Sequence, residues 1–205
     1  MSVKDMRKYE ANVILLAAGH SRRMGNVNKL LIPFEGIPMV RHIAQIYTSS
    51  FSYVHVVTGH KPQQIIAALS HVDVKILHNP LHKQGHNTSV EAGLMFLGNP
   101  QMPTLIALAD QPYINQEDLI KLMGFHKTRS AGCITIPFYQ GTRGHPIVIP
   151  PKRLSHIKSE RAMKNIRHYL DKNLQFCKRY NAHNDHFIRD IDTPFDALDI
   201  QSQRR

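Results

Sequence analysis

Residues 13–17 read Val-Ile-Leu-Leu-Ala and run directly into Ala18-Gly19 and a stretch carrying three cations, "VILLAAGHSRRMGNVNKLL". A strand that is apolar at every position, not at alternate ones, offers no face to water. It must lie inside a sheet covered on both sides, which is the situation of parallel strands joined by crossover helices. Similar runs recur: residues 54–58 end at Gly59, residues 72–77 precede Asn79-Pro80, and residues 104–109 end at Asp110.

Helical patterns separate these runs. Pro38 suits the first turn of a helix reaching residue 49, because its missing N–H would lack a partner there in any case. Lys61-Pro62 opens a second helix to residue 69. Thr88 is expected to cap a third, with Val90, Leu94 and Leu97 on one stripe. Asn115-x-x-Asp118 opens a fourth with Leu119, Leu122 and Met123 inward. Alternation of strand and helix predicts an α/β fold, a three-layer α/β/α sandwich with a Rossmann-like, mostly parallel mixed sheet. The second half is less regular. Residues 133–137 and 146–149 read as strands around a hinge-like loop, "YQGTRGH"; residues 161–170 read as helix, and 175–180 and 187–191 as extended.

A length of 205 residues suits one domain over 1–205, with 42 % hydrophobic and 20 % charged residues giving an ordinary globular balance. The nucleotide-binding half is expected at about 11–112 and the acceptor-binding half at about 113–200. A net charge of +11 favours anionic partners. Cys133 and Cys177 form no disulfide framework or metal-ligand spacing, no run is long enough to span a membrane, and no secretory signal is apparent, so the expectation is a cytoplasmic protein without a membrane partner. The cations are scattered, and no RNP-like motif or zinc finger occurs, which argues against nucleic acid. His82 and His86 stand four apart, but with no third ligand near them in sequence they do not read as a zinc site.

In an open α/β sheet, ligands bind beyond the carboxyl ends of the strands. The loop after residue 17 is the richest of these: Gly19 and Gly25 permit close backbone approach, while Arg22, Arg23 and Lys29 supply cationic donors for a polyphosphate. It is neither a P-loop nor a dinucleotide fingerprint, since Gly25 is followed by Asn26 and residue 21 is Ser. Asp110, at the end of the fourth apolar run, is placed to hold Mg²⁺ between phosphates. Asp190 and Asp192 alternate along "RDIDTPFD", and either could be a second metal ligand or part of a capped turn.

"LAAGHSRRMG-x-x-x-KLL" at 16–31, "LADQP" at 108–112, "GTRGHP" at 141–146 and "DIDTP" at 190–194, in that order, resemble the molybdenum cofactor cytidylyltransferase family of MobA-like NTP transferases, in the nucleotide-diphospho-sugar transferase superfamily. The resemblance implies Mg²⁺-dependent transfer of CMP from CTP to the phosphate of a molybdopterin cofactor, with pyrophosphate released. It implies that Gly19, Ser21, Arg23, Gly25 and Lys29 hold the triphosphate, with Ala17, Ala18 and Arg22 beside them, and that Asp110 and Asp192 bind the metal. Arg23, Lys29 and Asp110 would carry catalysis. "QGHNTSVEAGL" resembles the segment against the base, with Gly85 and Ser89 reading it, although His86 and Asn87 stand where the family more often has smaller residues. Arg143, Gly144 and His145 would contact the acceptor, and a recipient molybdoenzyme or its chaperone would be a transient partner. Ala18 leans toward cytidine. Asn28 replaces the proline of many sugar-nucleotide relatives. Two alternatives remain open: the same fold with GTP or another phosphorylated acceptor, and a non-catalytic cofactor chaperone or basic nucleic-acid-binding protein.

Overall fold

The computed structural model describes residues 8–19, 27–98, 100–159, 165–193 and 196. Strand β1 (Tyr9–Ala17) leads, through a 3-10 turn at Lys29–Leu31, into a small hairpin of β2 (Pro33–Phe34) and β3 (Ile37–Pro38). Next come α1 (Met39–Ser50), β4 (Phe51–Thr58), α2 (Pro62–Ala68), β5 (Lys75–His78), α3 (His86–Phe96), β6 (Thr104–Leu108) and α4 (Gln116–Lys127). The chain continues through β7 (Ile134–Tyr139), β8 (Thr142–Arg143), β9 (Ile147–Ile149), α5 (Pro151–Ser159), α6 (Ile166–Lys172) and β10 (Cys177–Asn181).

One sheet runs β10-β7-β9-β6-β1-β4-β5, with β8 paired to β7. Strand β1 pairs in parallel with both β4 and β6, and β4 with β5. Strand β9 is antiparallel to β6 and β7, so the sheet is mixed.

Successive side chains of a strand point to opposite faces, and β1 is apolar on both. Val13, Leu15 and Ala17 pack into a core with Val40, Ile43 and Tyr47 of α1, Ile65 of α2 and Leu119 and Leu122 of α4. Ile14 and Leu16 pack on the other side with Val90 and Leu94 of α3, Leu154 and Ile157 of α5, and Ile166, Tyr169 and Leu170 of α6. The continuous apolar run is therefore the central strand of a three-layer sandwich. The expected capping pair opens α4: the Asn115 side chain accepts from the Asp118 N–H (3.0 Å) and the Asp118 carboxylate from the Asn115 N–H (3.1 Å).

Several expected elements differ. Helix α3 starts at His86 with Gly85 as its N-cap. Thr88 does not cap it; its hydroxyl donates to the carbonyls of Gly85 and Leu81. Strand β5 is shorter than the 72–77 run, because Val72 and Val74 pack against the core from irregular backbone before pairing begins at Lys75. The "YQGTRGH" loop is a tight turn between β7 and β8, with Gln140 and Gly141 both at positive φ, not a hinge. Residues 174–176 form a 3-10 turn ahead of β10, and of the expected helix over 161–170 the part before 165 lies outside the described residues. Helix α5 opens on Pro151, whose missing N–H costs nothing in a first helical turn. Residues 187–191 do not extend as a strand: the Ile188 N–H bonds back to Asp185 and the Ile191 N–H to Asp110.

Candidate active site

The parallel register puts Ala17 opposite Thr58 and Leu16 opposite Leu108, so the carboxyl ends of β1, β4 and β6 share one edge of the sheet. The Ala109 N–H extends the ladder to the Leu16 carbonyl (3.1 Å), and Asp110 follows immediately at that edge. The Asp110 carbonyl in turn accepts from the Ile191 N–H (2.9 Å), bringing in the chain segment that carries Asp192 from the far end of the sequence.

Lys29 enters from the β1 side on the 3-10 turn. Asn28 caps that turn by accepting the Leu30 N–H (3.1 Å), and the buried Leu30 side chain anchors it. Asn28 thus has a local structural reason to stand where it does. The Lys29 ammonium lies 2.6 Å from Asp110 Oδ2 and 2.6 Å from Asp192 Oδ1. Burial opposes its charge, but the two carboxylates outweigh that effect and raise the lysine above its ordinary pKa.

Asp192 is fixed from behind. Asp196 Oδ2 accepts the N–H groups of Asp192 (2.9 Å) and Thr193 (2.7 Å), while the Thr193 hydroxyl oxygen accepts the Asp196 N–H (3.3 Å). This is the reciprocal geometry of a capping box. These amide bonds, above all that from Asp192, hold the Asp196 carboxyl below the usual range. Asp190 points elsewhere, accepting from Gln111 Nε2 (3.2 Å); burial, followed by the charge of Asp110, pushes its pKa up. Asp110 Oδ1 is buried without a hydrogen-bond partner among the described residues.

These groups open into a cavity of about 520 Å³ whose wall includes Ala18, Gly19, Lys29, Asp110 and Asp192 on one side and Gly85, His86 and Ser89 on the other. Ala17, expected beside the triphosphate, is buried in the core with α1 and α4 and is not part of that wall. Ser89 Oγ accepts from Asn79 Nδ2 (2.9 Å), which fixes the rotamer and leaves the hydroxyl hydrogen to donate. Ser21, Arg22, Arg23 and Gly25 lie outside the described residues.

Arg143, Gly144 and His145 line a second, adjoining cavity of about 1180 Å³. Its floor is apolar, with Ile136, Phe138 and Leu170, and its rim carries Arg143, Arg167 and Arg179. Arg143 is paired with Asp171, and the Arg179 guanidinium sits over the Phe138 ring at 4.1 Å. The half-buried His145 sets its ring Nδ1 3.2 Å from the Ile106 carbonyl; desolvation lowers its pKa to about 4, so it is neutral at pH 7. Gly144 is required by close packing, since a Cβ there would lie 2.3 Å from the Phe187 carbonyl oxygen. That oxygen already accepts from the His145 N–H (2.9 Å) and Gln111 Nε2 (3.0 Å).

His86 belongs to the walls of both cavities. Burial holds its ring below the ordinary histidine pKa, with Asp110 opposing. The His82 ring lies 6.4 Å from the rings of His60 and His78. Among the described residues, no group of three or more His, Cys, Asp or Glu side chains is placed to hold a metal, and no helix is long and apolar enough to cross a membrane. Sequence reasoning missed Asp196, although Thr193-x-x-Asp196 is a capping signature. It also missed Gln111, although that residue stands inside the "LADQP" motif, and Arg167 and Arg179, which belong to none of the motifs.

The family model of the MobA-like NTP transferase domain matches residues 13–177. The chain belongs to this family. Among curated relatives, the molybdenum cofactor cytidylyltransferase of Escherichia coli is 28% identical over 193 residues, 90% of this chain and 92% of that protein. The bifunctional protein GlmU of Burkholderia ambifaria is 32% identical over 127 residues, 61% of this chain but 28% of its own length. The MobA-like chain thus spans little more than a quarter of the GlmU relatives it matches.

Solved structures share the fold. A nucleotidyl transferase from Methanothermobacter superposes with a TM-score of 0.77 at 18% identity, covering 95% of this chain and 97% of that one. A Mycobacterium tuberculosis protein in complex with manganese gives 0.70 at 16% identity, covering 95% and 99%. A molybdopterin-guanine dinucleotide biosynthesis protein A from Archaeoglobus fulgidus gives 0.67 at 17% identity, covering 94% and 98%.

Proposed function

We propose that this chain transfers CMP from CTP to the phosphate of a molybdopterin-type cofactor with the help of Mg²⁺, releasing pyrophosphate. The observation that carries the reading is the convergence of Lys29, Asp110 and Asp192 at the carboxyl edge of β1 and β6, in a cavity that adjoins a second, arginine-rimmed one. Triphosphate and acceptor need separate compartments that meet at one point, and the two cavities have that relation. The first is lined from the half before residue 113, with Asp192 added; the second from the later half, with His86 and Asn87 added. That division supports the two halves expected from sequence.

The acceptor's phosphate oxygen forms a bond to the α-phosphorus as the bond to the bridging oxygen breaks, and pyrophosphate leaves with the electron pair. The attacking phosphate is already ionised at neutral pH, so the work lies in positioning and in neutralising charge. Lys29 supplies a fixed cation to the triphosphate. The unpartnered Asp110 Oδ1, beside Asp192, suits an oxygen-seeking divalent ion, which would offset charge on the α-phosphate. The apolar floor and three guanidinium groups of the second cavity suit a flat, anionic acceptor. Ala18 and the E. coli relative support cytidine.

The test is a nucleotide panel followed by turnover. With Mg²⁺, CTP at a hundred times its Kd should stabilise by ~2.7 kcal/mol, a rise of roughly 5–10 °C for a chain of this size, and GTP should do much less. Pyrophosphate release with the pterin acceptor should fall by orders of magnitude in Lys29→Ala and Asp110→Ala. Full activity in either variant refutes the site; a preference for GTP refutes the base assignment.

A further inference from the structure

Any nucleotidyl transfer ends with one phosphoryl group bonded to both substrates, so the reacting atoms must meet where the nucleotide cavity opens into the acceptor cavity. Among the described residues, His86 is the one side chain in both walls. The first turn of α3 straddles the junction: Gly85 and Ser89 face the nucleotide side and Asn87 the acceptor side. His86 is the first residue of that helix, so its backbone is held by a regular element packed on the sheet through Val90 and Leu94. His86 is an exposed residue in the wall of the cleft, where a ligand can reach it. Asp110 and Lys29 line the first of these cavities with it, and His145 the second.

We propose that His86 is a catalytic residue that donates a hydrogen bond to the phosphoryl group in transit, holding the acceptor's phosphate against the nucleotide's α-phosphate. The inference rests on nucleotidyl transfer, not on which base or acceptor is used. The proton stays on the imidazole. The nucleophile is the ionised phosphate and the leaving group is pyrophosphate, so the ring gives orientation and a localised positive dipole without changing the balance of the reaction. A donor aimed at developing phosphoryl charge in a cleft of this kind accounts for factors of about 10²–10³ in rate. Lys29 and the carboxylates line the nucleotide side alone, and Arg143 the acceptor side alone.

Two measurements on the full chain test this. In steady-state pyrophosphate release, His86→Ala should lower kcat by about 10²-fold. Calorimetry should find its Kd for CTP with Mg²⁺ within a few-fold of the parent. His86→Gln or His86→Asn, which restores a side-chain N–H, should recover a substantial part of the loss. The second measurement needs no acceptor: in imidazole ¹H–¹⁵N spectra, the His86 signals, assigned as those missing in His86→Asn, should move when CTP or GTP is added with Mg²⁺ and again when inorganic phosphate follows. An unchanged kcat in His86→Ala, or His86 signals that stay put with both nucleotides and phosphate, overturns the proposal. If the parent releases no pyrophosphate with the pterin, the substrate reading above falls and the spectra alone decide the role of His86. If His86→Ala does not fold, the amide variants and the spectra decide it.

Discussion

Lys29→Met keeps the length and apolar stem of the side chain and removes only the ammonium between Asp110 and Asp192. Removing one partner of a fully buried ion pair costs roughly 3–5 kcal/mol, and an exposed pair is worth no more than about 1. Here the side chains are 12, 21 and 31% exposed for Lys29, Asp110 and Asp192, so the loss should fall between those limits, at about 2 kcal/mol. For a chain of this length that corresponds to a melting temperature lower by roughly 4–8 °C. The variant also frees the carboxylates for a metal. In the parent, a divalent ion arriving alone must displace an ammonium held at 2.6 Å by both carboxylates; in Lys29→Met it need not. Millimolar Mg²⁺ without nucleotide should therefore raise the melting temperature of the variant and leave the parent nearly unchanged. The alkaline limb supplies a sign check. The folded pKa of Lys29 is raised, so its contribution is fully present below the unfolded value near ~10.4 and is lost as pH rises through the higher folded value. Lys29→Met should lack that part of the loss. A variant as stable as the parent at pH 7, or Mg²⁺ stabilising both equally, would refute the reasoning.

His145 gives the opposite pH dependence. Its folded pKa, about 4, lies below the ordinary 6.5, so the unfolded chain takes up a proton first and stability falls as pH drops from 6.5 toward 4, by about 3 kcal/mol in all. His145→Gln cannot titrate, and urea midpoints measured across that window should decline less steeply than in the parent; identical slopes would show that another group is responsible. Gly144→Ala puts a methyl group 2.3 Å from the Phe187 carbonyl oxygen, a clash with backbone that cannot swing aside and should cost about 1–3 kcal/mol. Because that carbonyl also anchors His145 and Gln111, KM for the acceptor should rise more than KM for the nucleotide; equal changes in both would count against the separate acceptor cavity.

Local pattern carried the architecture as far as local forces decide it. The run at 13–17 could be read as a two-sided strand because Val13 and Leu15 had to be buried on one face and Ile14 and Leu16 on the other, and the two helical layers supply those cores. The same logic misled at 187–191. Phe187 and Ile191 are apolar because they close the core beneath α4, while the backbone there serves as a junction that binds Gln111, the His145 N–H and Asp110, a role that leaves no periodic trace. The place of Asp110 at the sheet edge was legible because the residue ends a buried parallel strand. The choice between Asp190 and Asp192 was not, since alternation puts both on one face and only the Gln111 and Lys29 contacts separate them. Lys29 stands 81 residues from one carboxylate and 163 from the other, distances at which no spacing rule operates. His86 makes the same point for function. In sequence it is a bulky residue where smaller ones are usual, and only a through-space fact, that among the described residues it alone lines both cavities, singles it out for the proposed role.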